Sequence, residues 1–323
     1  MKRFVLLSTI AFFPFVSHAS KCAEIKPQDY LVFSRGEISY AKSDFQGLTG
    51  AQGAFTFERF EVGPVKSGSC PRLVTGGKTT LISGHVAGGI ETTGALTLKK
   101  VSVAGKIASE GTVKIQESSS HGRVKQAPAA RNLAKAGEYF LDQSSRLARL
   151  APTVKASLTD GVLEVAATPG AYSIASLTAS ELSAAKVIRL KGDDVSVLVI
   201  NVSGTEASLE NLDVQLKGIQ TGRVLLNFFE AQTLRVSASG SKELGIGATL
   251  LAPLASVTFW NGLVTGGLYV GSLCGDGQVN PGHFVGWLPE IVAPPAPPII
   301  CPPQGAAFFS QKQCVPTPAS AGA

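Results

Sequence analysis

Apolar residues in this chain fall in short runs divided by Gly, Asn and Pro. Between Arg223 and Pro289 the runs are Val224-Leu225-Leu226, Leu234-Arg235-Val236, Ala248 to Leu251, Val257-Thr258-Phe259 and Leu268-Tyr269-Val270, with a turn residue every 8 to 14 positions. Each run has strand length and is rich in β-branched or aromatic residues. No helix keeps an apolar face through so much Gly and Pro. Residues 28–116 read the same way, opening on a strand at Asp29 to Phe33; Leu96/Leu98 and Val101/Val103 alternate with polar residues, one face in and one face out. Phe55, Phe57 and Phe60 predict an aromatic core patch near one end of the structure. The rhythm predicts stacked coils of a β-solenoid, each burying its inner face against the next. A sandwich of antiparallel strands has similar spacing, so the pattern alone leaves both open.

The pattern changes once. After a polar loop at 117–126, Leu133, Ala136, Phe140, Ser144, Leu147 and Ala151 recur at helical spacing, with Pro128 in the first turn and Pro152 as the stop. This predicts one helix over 128–151, covering a face of the β-structure. Strands return over 155–222. Val195 to Val202 is nearly all apolar and predicts a strand buried on both faces, with Asn201 inward, satisfying backbone groups at a turn. Beyond Pro289 the composition becomes Pro-rich, a linker-like tail over 291–323.

Several elements in order, LLNFFEAQTLRV, GATLLAPLASV, NGLVTGGLYVGSL and HFVGWLP, with Tyr30 to Phe33, Leu73 to Gly77, Gly84 to Gly89 and Ile200 to Gly204 upstream, resemble the choice-of-anchor A domain. The resemblance covers roughly 25–290. It implies an exported bacterial surface protein with an adhesive domain, and EYFLDQSSRLARL fits the helix carried at that position in the family. The fold expected is an all-β, right-handed parallel β-solenoid with one long α-helix packed along a face, the hand following from the twist of parallel crossovers. Leu288-Pro289-Glu290-Ile291 lacks the following Thr-Gly, apolar span and basic tail of a sortase signal, so the resemblance leaves the mode of attachment open.

Composition agrees with export. The 323 residues are 44% hydrophobic and only 16% charged, with 35 Gly, against about 25% charge in an average soluble domain. Residues 1–19 read as a signal peptide: Lys2 and Arg3, then the apolar Phe4 to Val16, then Ser17-His18-Ala19, predicting cleavage between Ala19 and Ser20. No other apolar run is long enough to span a bilayer. Losing Lys2 and Arg3 lowers the formal charge from +6 to +4. No basic block with interleaved aromatics supports nucleic-acid binding.

The five cysteines, Cys22, Cys70, Cys274, Cys301 and Cys314, follow the leader, where disulfides form. Their spacing does not fit a zinc site. Cys301 with Cys314 is the preferred pair, clipping the Pro-rich tail for about 3 kcal/mol, and Cys22 with Cys70 is a second.

Solenoids can host polysaccharide lyases and hydrolases, which need clustered carboxylates or a base beside a metal. Asp193, Asp194 and Glu230 are the candidate acids, but each reads better as a turn or cap residue. His85 and His283 are flanked by Gly with no acidic partner at readable spacing, and His283 reads as a buried, hydrogen-bonded imidazole. No Gly-x-Ser-x-Gly elbow, P-loop or dinucleotide fingerprint occurs. Ice binding needs flat ranks of Thr, and Thr79-Thr80, Thr92-Thr93 and Thr97 show no fixed register in the sequence. The reading is therefore a secreted, extracellular or surface-bound non-enzymatic protein, with the periplasm as the alternative location, without a cofactor, whose partner is a surface glycan, a protein or another envelope component.

Overall fold

The computed structural model describes residues 22–63, 68–120, 122–124, 132–238 and 244–290. The signal peptide, the Pro-rich tail and the predicted Cys301–Cys314 pair lie outside these residues.

The first half of the solenoid is the most regular. Each coil has a short strand, a turn and a long strand: Tyr30–Ser34 and Ile38–Phe45, Leu48–Ala51 and Phe55–Val62, Pro71–Thr75 and Thr79–Val86, Gly89–Thr92 and Leu96–Val103. Successive coils pair in parallel. The short strands form face 1. Each long strand bends midway at a residue with positive φ, namely Lys42, Arg59, Ser83 and Lys100, and Glu117 continues this column in the next coil. The bend divides the long strand between face 2 and face 3, and the cross section becomes triangular. Pairing passes over the bend: Ala41 opposes Glu58 and Ser43 opposes Phe60.

Inward residues alternate as the sequence predicts. Phe55, Phe57, Phe60 and Val62 are buried, as are Leu96, Leu98, Val101 and Val103. At the corner between faces 1 and 2 a column of glycines, Gly36, Gly53, Gly77, Gly94 and Gly111, lets each coil rest on the backbone below. A Cβ on Gly94 would lie 2.1 Å from the Gly77 carbonyl oxygen. Buried hydroxyls beside it satisfy the corner carbonyls: Ser109 Oγ donates to the Gly111 oxygen at 3.1 Å, and Ser34 Oγ to Gly271 at 3.2 Å.

The coils are not stacked in chain order. Val32 to Ser34 pair with Leu48 to Ala51 on one side and with Leu268 to Val270 on the other. Ile38 to Tyr40 likewise pair with Leu273 to Gly275. The second half runs through Tyr172–Thr178, Val197–Ser203, Val224–Asn227, Thr249–Trp260 and Leu268–Gly275, and its last coil meets the first coil of the chain. This seam puts Phe55, Phe57 and Phe60 near the middle of the stack, not at an end. The expectation of an end patch assumed that coils stack in sequence order.

A chain that builds one half upward and re-enters from below needs a return element. Helix α1 (Leu133–Ala148) supplies it. It is shorter than the predicted 128–151: Arg149 is its C-cap and residues 149–151 are not helical, while 125–131 lie outside the described residues. At its start the Leu133 carbonyl accepts from Gln52 Nε2 at 3.0 Å, in the first half. Near its end the Leu147 carbonyl accepts from Asn201 Nδ2 at 2.8 Å, in the second. Its apolar stripe covers face 1. Phe140 is fully buried and stacks on Tyr269 with ring centroids 4.0 Å apart, and it also meets Phe33 and Trp287.

Under this helix the strand Val197–Ser203 is buried on both faces, as its all-apolar sequence predicts, while Val195 sits in the preceding turn at 54% exposure. Asn201 satisfies a backbone group as predicted, but it lies mid-strand, not at a turn, and points outward: it alternates with the core residues Ile200 and Val202, and the group it satisfies is the helix end. Asn227 donates to Asn201 Oδ1 at 2.8 Å and to the Ser144 carbonyl at 2.9 Å, and Ser144 Oγ donates back to Asn227 at 2.6 Å.

Candidate functional site

The residues proposed as acids do not come together. Asp193 accepts from the Ser196 amide and hydroxyl at 2.6 and 2.5 Å and from the Gly170 amide at 2.9 Å. The Ser196 hydroxyl bond, followed by these amide bonds, holds its carboxyl below the ordinary aspartate value. Asp194 is exposed beside it. Glu230 accepts from the Gly204 amide at 2.9 Å, in the turn after Val197–Ser203, whereas Asp193 lies in the turn before that strand. Seven strand residues separate the two turns, or roughly 20 Å at about 3.3 Å per residue. A glycosidase pair works at about 5–9.5 Å.

His85 shares a 2.7 Å hydrogen bond with Ser102 Oγ on face 3. His283 is exposed, which corrects the expectation of a buried imidazole. Its flanking Gly282 and Phe284 pack inward instead: Gly282 lies against the Gly266 backbone and Phe284 is buried. Cys22 and Cys70 are joined, their Cα atoms 5.5 Å apart. Among the described residues Cys274 is the free cysteine. Burial, and then the charge of Glu37, raise its thiol above the ordinary cysteine value, so it is not poised as a thiolate nucleophile.

Face 2 is organised differently. The helix does not cover it, and strand register aligns its outward residues across the seam. Thr258 opposes Cys274, Cys274 opposes Ser39, Ser39 opposes Thr56, Thr56 opposes Thr80, and Thr80 opposes Thr97. This is a straight rank of six small side chains at the roughly 4.8 Å spacing of neighbouring strands. Arg235 continues it at one end and Lys114 at the other. The rank was expected to be missing, because Thr positions show no fixed period in the sequence. The 24-residue step from Thr56 to Thr80 and the 17-residue step from Thr80 to Thr97 differ by a loop that leaves the register intact. A second rank beside it is irregular: Glu58 opposes Ile82, which opposes Lys99.

Residues 26–281 match the model of the family described as "Putative Ice-binding-like adhesive domain". The chain belongs to that family. Among solved structures, this family member is similar to an ice-binding protein from an Arctic yeast, with 12% identity, a TM-score of 0.41, and 83% of this chain and 96% of that one covered. It is also similar to an ice-binding protein from an Antarctic bacterium of the Flavobacteriaceae, at 12% identity and a TM-score of 0.27, with 78% and 79% covered. A comparison with curated proteins returns no match. The adhesive class expected from the sequence thus stands, under a family description that adds a likeness to ice-binding domains.

Proposed function

We propose that this chain is a non-catalytic extracellular adhesive module of the choice-of-anchor A type, exported by residues 1–19, with face 2 as its binding surface. The observation that carries the reading is the continuous, uncovered face 2. A flat surface built from both halves presents ordered hydroxyls and charges at one spacing, which suits contact distributed over many coils. The separation of Asp193 from Glu230 supports the non-catalytic part.

The test is retention of the purified mature chain on whole cells and immobilised polysaccharides, beside an assay for new reducing ends or unsaturated products. Retention without turnover is expected. Turnover that Asp194→Asn or Glu230→Gln abolishes, as on the order of 10²-fold loss for a general acid requires, would overturn the reading. The Thr56–Thr80–Thr97 rank favours ice as a second ligand. Against it stand the irregular neighbouring rank and the exposed charges of Glu58 and Lys99. Inhibition of ice recrystallisation by the wild type, lost in Thr80→Lys, would establish ice over a polymer ligand.

A further inference from the structure

The corner between faces 2 and 3 carries a groove where the two halves meet. Its volume is about 670 Å³, and its lining draws Lys42, Asp44 and Arg59 from the first half and Asn261 and Asp276 from the second. The residue before Asn261 is Trp260, on face 2 and 48% exposed. Its indole therefore keeps about half of its surface available for contact beside the groove. The groove beside it is polar and balanced in charge, two cations against two carboxylates. Carboxylate and guanidinium groups present paired acceptors or donors to neighbouring hydroxyls, with Asp276 Oδ1 already accepting from the Asn261 backbone amide at 2.8 Å and Arg59 3.6 Å from Glu58, and an exposed indole offers a flat apolar plate to a pyranose ring. A charged polymer would find its like charge in the groove as readily as its opposite, so the balance selects an uncharged ligand.

The two cations show a second feature. Lys42 and Arg59 have φ of 57° and 53°, a left-handed conformation that costs a non-glycine residue about 1–2 kcal/mol. The same conformation recurs at Ser83 and Lys100 in the next two coils, whereas Gly36, Gly53 and Gly77 on the other corner serve close backbone contact. In the two coils nearest the seam the residues at this bend are long and cationic, and both line the groove.

We propose that this seam groove, with Trp260 as stacking platform, is a subsite for a neutral polysaccharide chain. The proposal rests on the adhesive reading and gives it a ligand class. It is tested by electrophoresis of the mature protein through native gels containing hydroxyethylcellulose, glucomannan or xyloglucan, with alginate as the anionic comparison. At least one neutral polymer is expected to retard the wild type, and Trp260→Ala and Arg59→Gly should each weaken that retardation about 10-fold or more. Arg59→Gly relieves a strained backbone, so its melting temperature is expected to hold or rise, which separates lost binding from lost folding. Retardation by alginate alone, by no polymer, or undiminished from wild type in both variants overturns the subsite. If whole-cell retention persists unchanged in Trp260→Ala, the adhesive reading stands and this proposal falls. Loss of all retention by the wild type removes both.

Discussion

The strands of the uncovered faces and the strands under the helix use one backbone plan under opposite sequence rules. In Phe55–Val62 inward residues are buried while Thr56, Glu58 and Arg59 are exposed. In Val197–Ser203 five consecutive residues are buried. Coils of the first half repeat every 17 residues where Ile38 opposes Phe55 and Leu96 opposes Val113. Coils of the second half step by 25 and 26 residues where Tyr172 opposes Val197 and Leu198 opposes Val224. The difference shows what decides composition in a parallel coil: a second packed surface, not strand geometry. With a helix outside, alternation disappears and a buried polar group survives only with a partner, as Asn201 and Asn227 do. Without one, alternation persists and backbone contact at the glycine corner sets the tightness of the stack.

The largest expected effect is at the helix interface. Phe140→Ala should destabilise the protein by about 3–5 kcal/mol, measured by urea unfolding. A loss under 1 kcal/mol would show that the strands under the helix do not depend on it. The glycine corner of the first half comes next. Gly94→Ala places a methyl group against the Gly77 backbone and should cost about 1–3 kcal/mol. Gly245→Ala, in open space in a strand of the second half, should change stability by less than about 0.5 kcal/mol; equal effects would show that backbone contact at Gly94 does not set its cost.

The smallest effect concerns Glu91, outward on face 1 of the first half between Val74 and Ala108. Its Oε2 is buried without a hydrogen-bond partner, and burial raises its carboxyl above the ordinary 4.5. The folded state therefore holds the proton more tightly than the unfolded chain. The contribution to stability is complete below about pH 4.5 and is lost as pH rises through the raised folded value. Glu91→Gln should gain on the order of a few tenths of a kcal/mol at pH 7, after allowance for solvent screening, and nothing at pH 4. The check is a pair of thermal melts at the two pH values.

Strands, glycine turns and the helix were legible because each follows from local periodicity. Coil order was not, since nothing local to Val32 or Leu268 marks them as partners. The Thr rank was hidden for a related reason. A loop between Val62 and Pro71 lengthens one coil, so equivalent positions drift apart in the sequence while remaining adjacent in the sheet. Trp260 and the groove at the seam were missed because their residues come from opposite ends of the chain. The only signal within reach was an aromatic at an outward position of the strand Thr249–Trp260, which alternation alone would have flagged.

The seam also bears on how this protein reaches its fold. The strand Tyr30–Ser34 is made first, yet one of its edges finds its partner only when Leu268–Val270 has been made. Pairing across most of the chain raises contact order, which slows folding, and it leaves a parallel strand edge open to other chains in the meantime. Each half can grow coil by coil from local neighbours, so joining them is the step with the greatest loop-closure entropy. A fully buried aromatic cluster, Phe140 on Tyr269 with Phe33 beside it, straddles that join. A slow phase in refolding should therefore report the meeting of the halves, with their formation already complete.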